Sequence, residues 1–127
     1  MAQTPYYRHG ALAIGVIPVL LSVNAIFRPE AALNLAAFPV PAEPSARKLT
    51  RSLMRFYGTR NVAIGFMSLL VWHTGDDRLL GLSLLPGVFI CVVDGIMSKL
   101  QIGGGEWNHW SLAPVIIGIA GKLLRWS

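Results

Sequence analysis

The chain has 127 residues, 54% of them apolar and only 13% charged, with a net charge of +5. That length allows one domain, here taken as residues 1–127, and the charged fraction is about half the roughly 25% of a soluble domain. A soluble domain this small cannot hide so much apolar surface, and the basic residues are scattered or border apolar runs instead of forming a nucleic-acid-binding motif.

Four apolar runs, at residues 11–27, 56–72, 79–97 and 110–124, stand near the lower end of the ~17–25 residues that cross a hydrocarbon core. The expected fold is therefore all-α: a four-helix transmembrane bundle with short connections and one longer proline-rich loop. Arg8 and His9 before the first run, with Val23-Asn24-Ala25 as a poor cleavage site, imitate a secretory signal. The later runs favour a retained first helix. Tyr6 and Tyr7 precede the first span, Trp72 ends the second, Trp107 and Trp110 open the fourth and Trp126 closes it, as interfacial anchors do. Pro18 and Pro86 fall inside spans, where neighbouring helices can satisfy the freed carbonyls. Several glycines, among them Gly15, Gly58, Gly65, Gly81 and Gly95, suit close helix approach.

Residues 28–44 carry four prolines around a short apolar patch and read as a partly helical loop on the membrane surface. The next helix should start near Pro44-Ser45, with Ser45 as N-cap and Arg47, Lys48, Arg51 and Arg55 snorkelling from its polar first turns. The turn Thr74-Gly75-Asp76-Asp77 makes the second and third spans antiparallel neighbours. Gly103-Gly104-Gly105 is a flexible connection without the lysine of a phosphate loop. An even number of spans puts both termini on one side. The Lys/Arg distribution favours a cytoplasmic location for the first and third connections. An integral, multi-pass membrane location follows, with the endoplasmic reticulum as one candidate membrane.

Depth along the spans is the informative property of the polar residues. Arg60 and Asn61 lie about one turn inside the second span, Asp94 about one turn before the end of the third, and Asn24 about one turn before the end of the first. His109 opens the fourth span just after Glu106. Antiparallel order brings all of these to one end of the bundle. Arg60 and Asp94 are the natural ion pair, since a charge at helix-centre depth costs about 2.5–3.5 kcal/mol. Tyr57 joins Arg60, Asn61 and Ile64 at i, i+3, i+4 spacing, and Cys91, Asp94 and Ser98 share a stripe on the third span. Arg60 and Asp94 could merely staple two helices, with Asn24 and Asn61 as interhelical hydrogen bonders, but a staple needs two groups and more are present. The favoured assignment is Asp94, Arg60 and His109 as catalytic residues, and Tyr57, Asn61, Asn24 and Glu106 as substrate contacts. Asp94, His109 and Glu106 have no closely spaced motif to make them metal ligands. No metal or other cofactor is expected, and the lone Cys91 reads as a small hydrophobe.

The segment Phe56-Tyr57-Gly58-Thr59-Arg60-Asn61-Val62-Ala63-Ile64-Gly65 resembles the Tyr-Gly-x-Arg segment, with a glycine five residues on, of small fungal membrane proteins of unknown function. These are similar, more distantly, to the DoxX-like four-helix proteins and the small membrane anthrone oxygenases. The likeness extends over nearly the whole chain and implies a lipophilic substrate from polyketide or terpenoid secondary metabolism, with Arg60, Asp94 and His109 carried over as site residues. The expected function is a membrane enzyme that cyclises or isomerises such a molecule by acid/base chemistry, or oxygenates it without a cofactor. The alternatives are a small-molecule transporter or carrier and a non-catalytic assembly subunit. Expected partners are the hydrophobic substrate and the lipid bilayer, with no nucleic acid, and a homo-oligomer is left open.

Overall fold

A computed structural model describes residues 4–125, which are all-helical. Trp126, expected to close the last apolar run, lies outside them. Helix α1 spans Thr4–Phe27, α2 Pro29–Leu35, α3 Pro44–His73, α4 Asp77–Ile102, α5 Trp107–Trp110 and α6 Leu112–Leu123. Two of these, α1 from Pro5 and α4, are long and apolar enough to cross a membrane, each with a mean hydropathy of 2.2.

The other two apolar runs are less simple than the sequence suggested. Helix α3 has 30 residues, of which the first dozen carry Arg47, Lys48, Arg51 and Arg55. Its start is set by Pro44, which has φ fixed and no N–H to satisfy at the first helical position. The cap is therefore Glu43 and not Ser45. The Glu43 carboxylate accepts from the backbone N–H of Ser45 at 3.1 Å and of Ala46 at 2.7 Å, while the Ser45 hydroxyl donates to it at 2.7 Å.

The fourth run is not one helix. It breaks at Ser111 into α5 and α6, because Pro114 cannot donate to the Trp110 carbonyl and its ring crowds that position. At ~1.5 Å per residue, α6 is only about 18 Å long. Pro18 and Pro86, by contrast, sit within continuous helices.

Two antiparallel pairs build the body. In the first, α1 meets α3 through small residues: a Cβ added to Gly65 would lie 1.9 Å from Val19 Cγ2, and one on Gly58 2.7 Å from the Ser22 carbonyl oxygen. In the second, α4 meets α6 and α5, with Gly81 against Leu123 and Gly95 against the indole of Trp110. The Trp110 Nε1–H also donates to the Val92 carbonyl at 3.1 Å. Helix α6 touches α1 as well, while α3 and α4 touch little despite their short connection.

The core draws its side chains from α1, α4 and α6, and Leu80 and Ile116 are the largest fully buried ones among the described residues. Bulky apolar residues face outward instead, including Leu21, Phe56, Phe66, Phe89 and Leu100. This inverts the usual distribution of a soluble monomer, in which so extensive an apolar exterior marks a surface that something else covers.

The loop at residues 28–44 is partly helical, as expected. Helix α2 packs Ala32 and Leu33 inward, and its Glu30 accepts from Arg47 at 2.5 and 2.8 Å and from Arg51 at 2.6 Å. Two of the four arginine and lysine residues expected to snorkel are therefore committed to an ion-pair cluster. The hydrogen bonds from Arg47 and then Arg51 hold the Glu30 carboxyl down to about 2. At the opposite end Arg8 pairs with Asp77, donates to the Trp72 carbonyl at 2.7 Å and lies over the Trp72 ring, tying the start of α1 to the α3–α4 turn.

Candidate functional site

The tight glycine seams draw α1 onto α3 and α4 onto α6, and no such seam joins α3 to α4. A cavity of about 370 Å³ fills the resulting gap. Its apolar part is walled by Ile14 and Pro18 of α1, Leu84 and Ile90 of α4, and Ile116 of α6, with exposed Met67 and Pro86 at the rim between α3 and α4. Its polar end brings together Tyr57, Asn61, Asp94, Asn108 and His109.

Arg60 stands just outside that lining and closes the polar end. Its Nη2 donates to Asp94 Oδ2 at 3.3 Å and its Nε to Asn61 Oδ1 at 3.2 Å, and its guanidinium carbon lies 4.9 Å from the centre of the Tyr57 ring. The Asp94 side chain is 17% exposed and that of Arg60 41%, so the cation covers the carboxylate from outside. The ion-pair distance is longer than the ~2.7–2.9 Å of a tight charge-assisted bond, and only one guanidinium nitrogen reaches the carboxylate. The second carboxylate oxygen thus has no bond from Arg60. Helical spacing makes this arrangement: Tyr57, Arg60 and Asn61 share a face of α3, and Cys91 sits one turn before Asp94 on the α4 face that lines the cavity.

Five of the seven residues singled out in the sequence are brought together: Tyr57, Arg60, Asn61, Asp94 and His109. The other two are not. Asn24 lies beyond Leu21 and Ser22, the last α1 residues beside a cavity, and falls outside both cavity linings. Glu106 is turned away to Lys99, with an N–O separation of 3.6 Å, and its Oε2 is buried without a hydrogen-bond partner. Neither lines the two cavities in this arrangement. Ser98 leaves the stripe it shares with Asp94, donating to the Gly104 carbonyl at 2.8 Å and anchoring the loop whose left-handed Gly103 ends α4. Among the described residues no three His, Cys, Asp or Glu side chains come within reach of one metal ion.

Asn108 was missed by sequence reasoning. Its neighbour His109 drew attention as a titratable group, but an exposed-looking asparagine after a tryptophan carries no signal until the α5 turn places it at the cavity. A second, smaller cavity of about 260 Å³ shares Tyr57, Asn61, Ile14, Pro18 and Leu112 with the first and runs out along Ile17 and Leu21 of α1. Tyr57 and Asn61 therefore stand between two apolar compartments. The larger depression of about 630 Å³ at the other end, beside Asp76, Asp77 and Arg125, adjoins the limit of the described residues and gathers none of the residues above.

The fold and site define an all-helical protein with an apolar interhelical cavity closed at one end by an Arg–Asp pair. The chain belongs to the family of the domain of unknown function DUF4267, whose model matches residues 15–123 and so takes in every residue of the cavity's polar end. No curated protein and no solved structure matches the chain. The likeness to DoxX-like proteins and anthrone oxygenases thus rests on the sequence motif alone.

Proposed function

We propose that this chain is a four-span integral membrane protein that binds a lipophilic small molecule in the α3–α4 cavity and isomerises or cyclises it by acid/base chemistry at Asp94. The observation that carries the proposal is the cavity itself, apolar along its length and ended by a half-buried carboxylate with one oxygen free of its arginine. Four spans are supported by α1 and α4, by the apolar two-thirds of α3, and by α5 and α6 taken together, all with bulky apolar side chains outward. The α3–α4 rim lies among those outward residues, so a ligand dissolved in the bilayer enters sideways.

In this reading Asp94 removes a proton from a carbon next to a carbonyl and returns it, or one from the interface, elsewhere in the same molecule. Substrate and product are then isomers, and no co-reactant is consumed. Arg60, Asn61 and Tyr57 hold the substrate oxygen on which negative charge develops, in a site shielded from water where such donors count most. His109, at the rim of the polar end, exchanges protons with solvent.

Asp94→Asn tests this, since it keeps shape and hydrogen bonding but removes proton transfer. In the native host, lipid-soluble metabolites should lose one compound and accumulate an isomer of it, with normal protein in the membrane fraction. A precursor lacking an oxygen atom would replace isomerisation by cofactor-free oxygenation. The same compound trapped in cells would mean transport, and an unchanged profile at normal protein level would leave Asp94 a structural partner of Arg60.

A further inference from the structure

The cluster around α2 suggests a second site, independent of the cavity. Where α1 ends, the chain turns at Arg28 into α2, and a recess of about 310 Å³ opens between this turn and the polar first half of α3. Three arginines, Arg28, Arg51 and Arg55, line it against one carboxylate, Glu30. Glu30 is already engaged by Arg47 and Arg51. Arg55 spends only its Nε, on the Ile26 carbonyl at 3.2 Å, and the Arg28 side chain has no hydrogen bond or ion pair among the described residues. Two guanidinium groups thus face one recess with their terminal donors uncommitted, the geometry that takes a phosphate through paired N–H bonds. Phe27 and Phe56, 77% and 71% exposed, directly precede Arg28 and follow Arg55 in the chain.

We propose that this recess binds the phosphate of an anionic phospholipid, with Arg28 and Arg55 as its principal contacts and the acyl chains lying along Phe27 and Phe56. The two phenylalanines favour a lipid over a free anion, because a free phosphate has nothing to place against them. Glu30 acts as a fixed counter-ion: by holding Arg47 and Arg51 it shapes the wall of the recess without consuming Arg28 or Arg55. The site rests on the membrane-spanning reading above but not on any catalysis at Asp94.

The test uses the full chain in nanodiscs of phosphatidylcholine with a minor share of phosphatidylglycerol, and native mass spectrometry to count lipids retained on release. Wild type should keep phosphatidylglycerol in preference to phosphatidylcholine. At roughly 1 kcal/mol per basic residue near an anionic surface, Arg28→Gln with Arg55→Gln should weaken that retention by about thirtyfold. Asp94→Asn should leave it unchanged, as should Arg78→Gln with Lys122→Gln at the opposite end. An equal loss from that distant pair would overturn the site in favour of net charge alone. Inorganic phosphate that binds wild type in pure phosphatidylcholine and displaces the phosphatidylglycerol would assign the recess to a free anion. Failure of wild type to enter nanodiscs would instead remove the membrane reading itself. If the double variant does not fold, a photoreactive phosphatidylglycerol decides on the wild-type protein: adducts at residues 27–31 or 51–56 support the site, and adducts only elsewhere overturn it.

Discussion

Replacing Gly65 by alanine probes the seam that makes the cavity. The added Cβ would lie 1.9 Å from Val19 Cγ2 and 2.6 Å from the Gly15 carbonyl oxygen, against an unstrained contact of ~3.5–4.0 Å. Neither neighbour yields cheaply, since Val19 is β-branched and rotamer-locked in a helix and the Gly15 oxygen is backbone. Helices α1 and α3 must therefore separate along their shared face. Overpacking of this kind costs about 1–3 kcal/mol, here at the upper end, and the alanine returns ~1 kcal/mol of helix propensity. A net loss of about 2 kcal/mol lowers the midpoint of thermal unfolding by roughly 6–12 °C in a domain of this size. Gly118→Ala, with nothing within 4 Å of the new Cβ, should raise it by a few degrees. Cys91 supplies the assay: it is the only cysteine and is 9% exposed, so a thiol-reactive dye reports unfolding of the detergent-solubilised protein on heating. Val19→Ala added to Gly65→Ala should restore only part of the loss, because the Gly15 carbonyl is still too close. A Gly65→Ala protein as stable as wild type would refute the close α1–α3 contact, and with it the account of why the cavity lies between α3 and α4.

Arg8→Met removes the pair with Asp77 and the bond to the Trp72 carbonyl, and should cost about 1–2 kcal/mol in the same melt. Adding Asp77→Asn should recover part of this, and an unchanged melt for Arg8→Met would show the tie between α1 and the α3–α4 turn to be idle. The Glu30 cluster predicts acid sensitivity. Its carboxyl is held at about 2 against an ordinary value of 4.5, so its contribution is complete above about pH 4.5 and fades as pH falls toward about 2. The stability difference between wild type and Glu30→Gln should shrink across that window, and a difference constant from pH 5 to 2 would argue against the cluster. For topology, single cysteines at Thr74 and Gly104 in a Cys91→Ala background should be labelled from opposite sides of a sealed vesicle; labelling of both from one side would exclude four spans.

The sequence by itself determined the helical class, the outline of the apolar runs and most of the polar site. These follow from local properties: hydropathy over a window, and helical spacing that puts Tyr57, Arg60 and Asn61 on one face and Cys91 with Asp94 on another. Antiparallel order then fixes depth, which puts Arg60 and Asp94 at one level. Only the tertiary structure decided what depends on rotation and on competition between partners. Glu106 shares the depth of the site but is drawn to Lys99, and Asn24 lies past the cavity. Asn108 enters only because Pro114 breaks the last run and leaves α5 as a separate turn. Glu43 displaces Ser45 as the cap because Pro44 takes the first helical position, two residues earlier than a Ser45 cap would set it. The cavity was not legible at all: it is the space left when glycine seams close two helix pairs and no seam closes the third, a difference in fit that no single run of sequence contains.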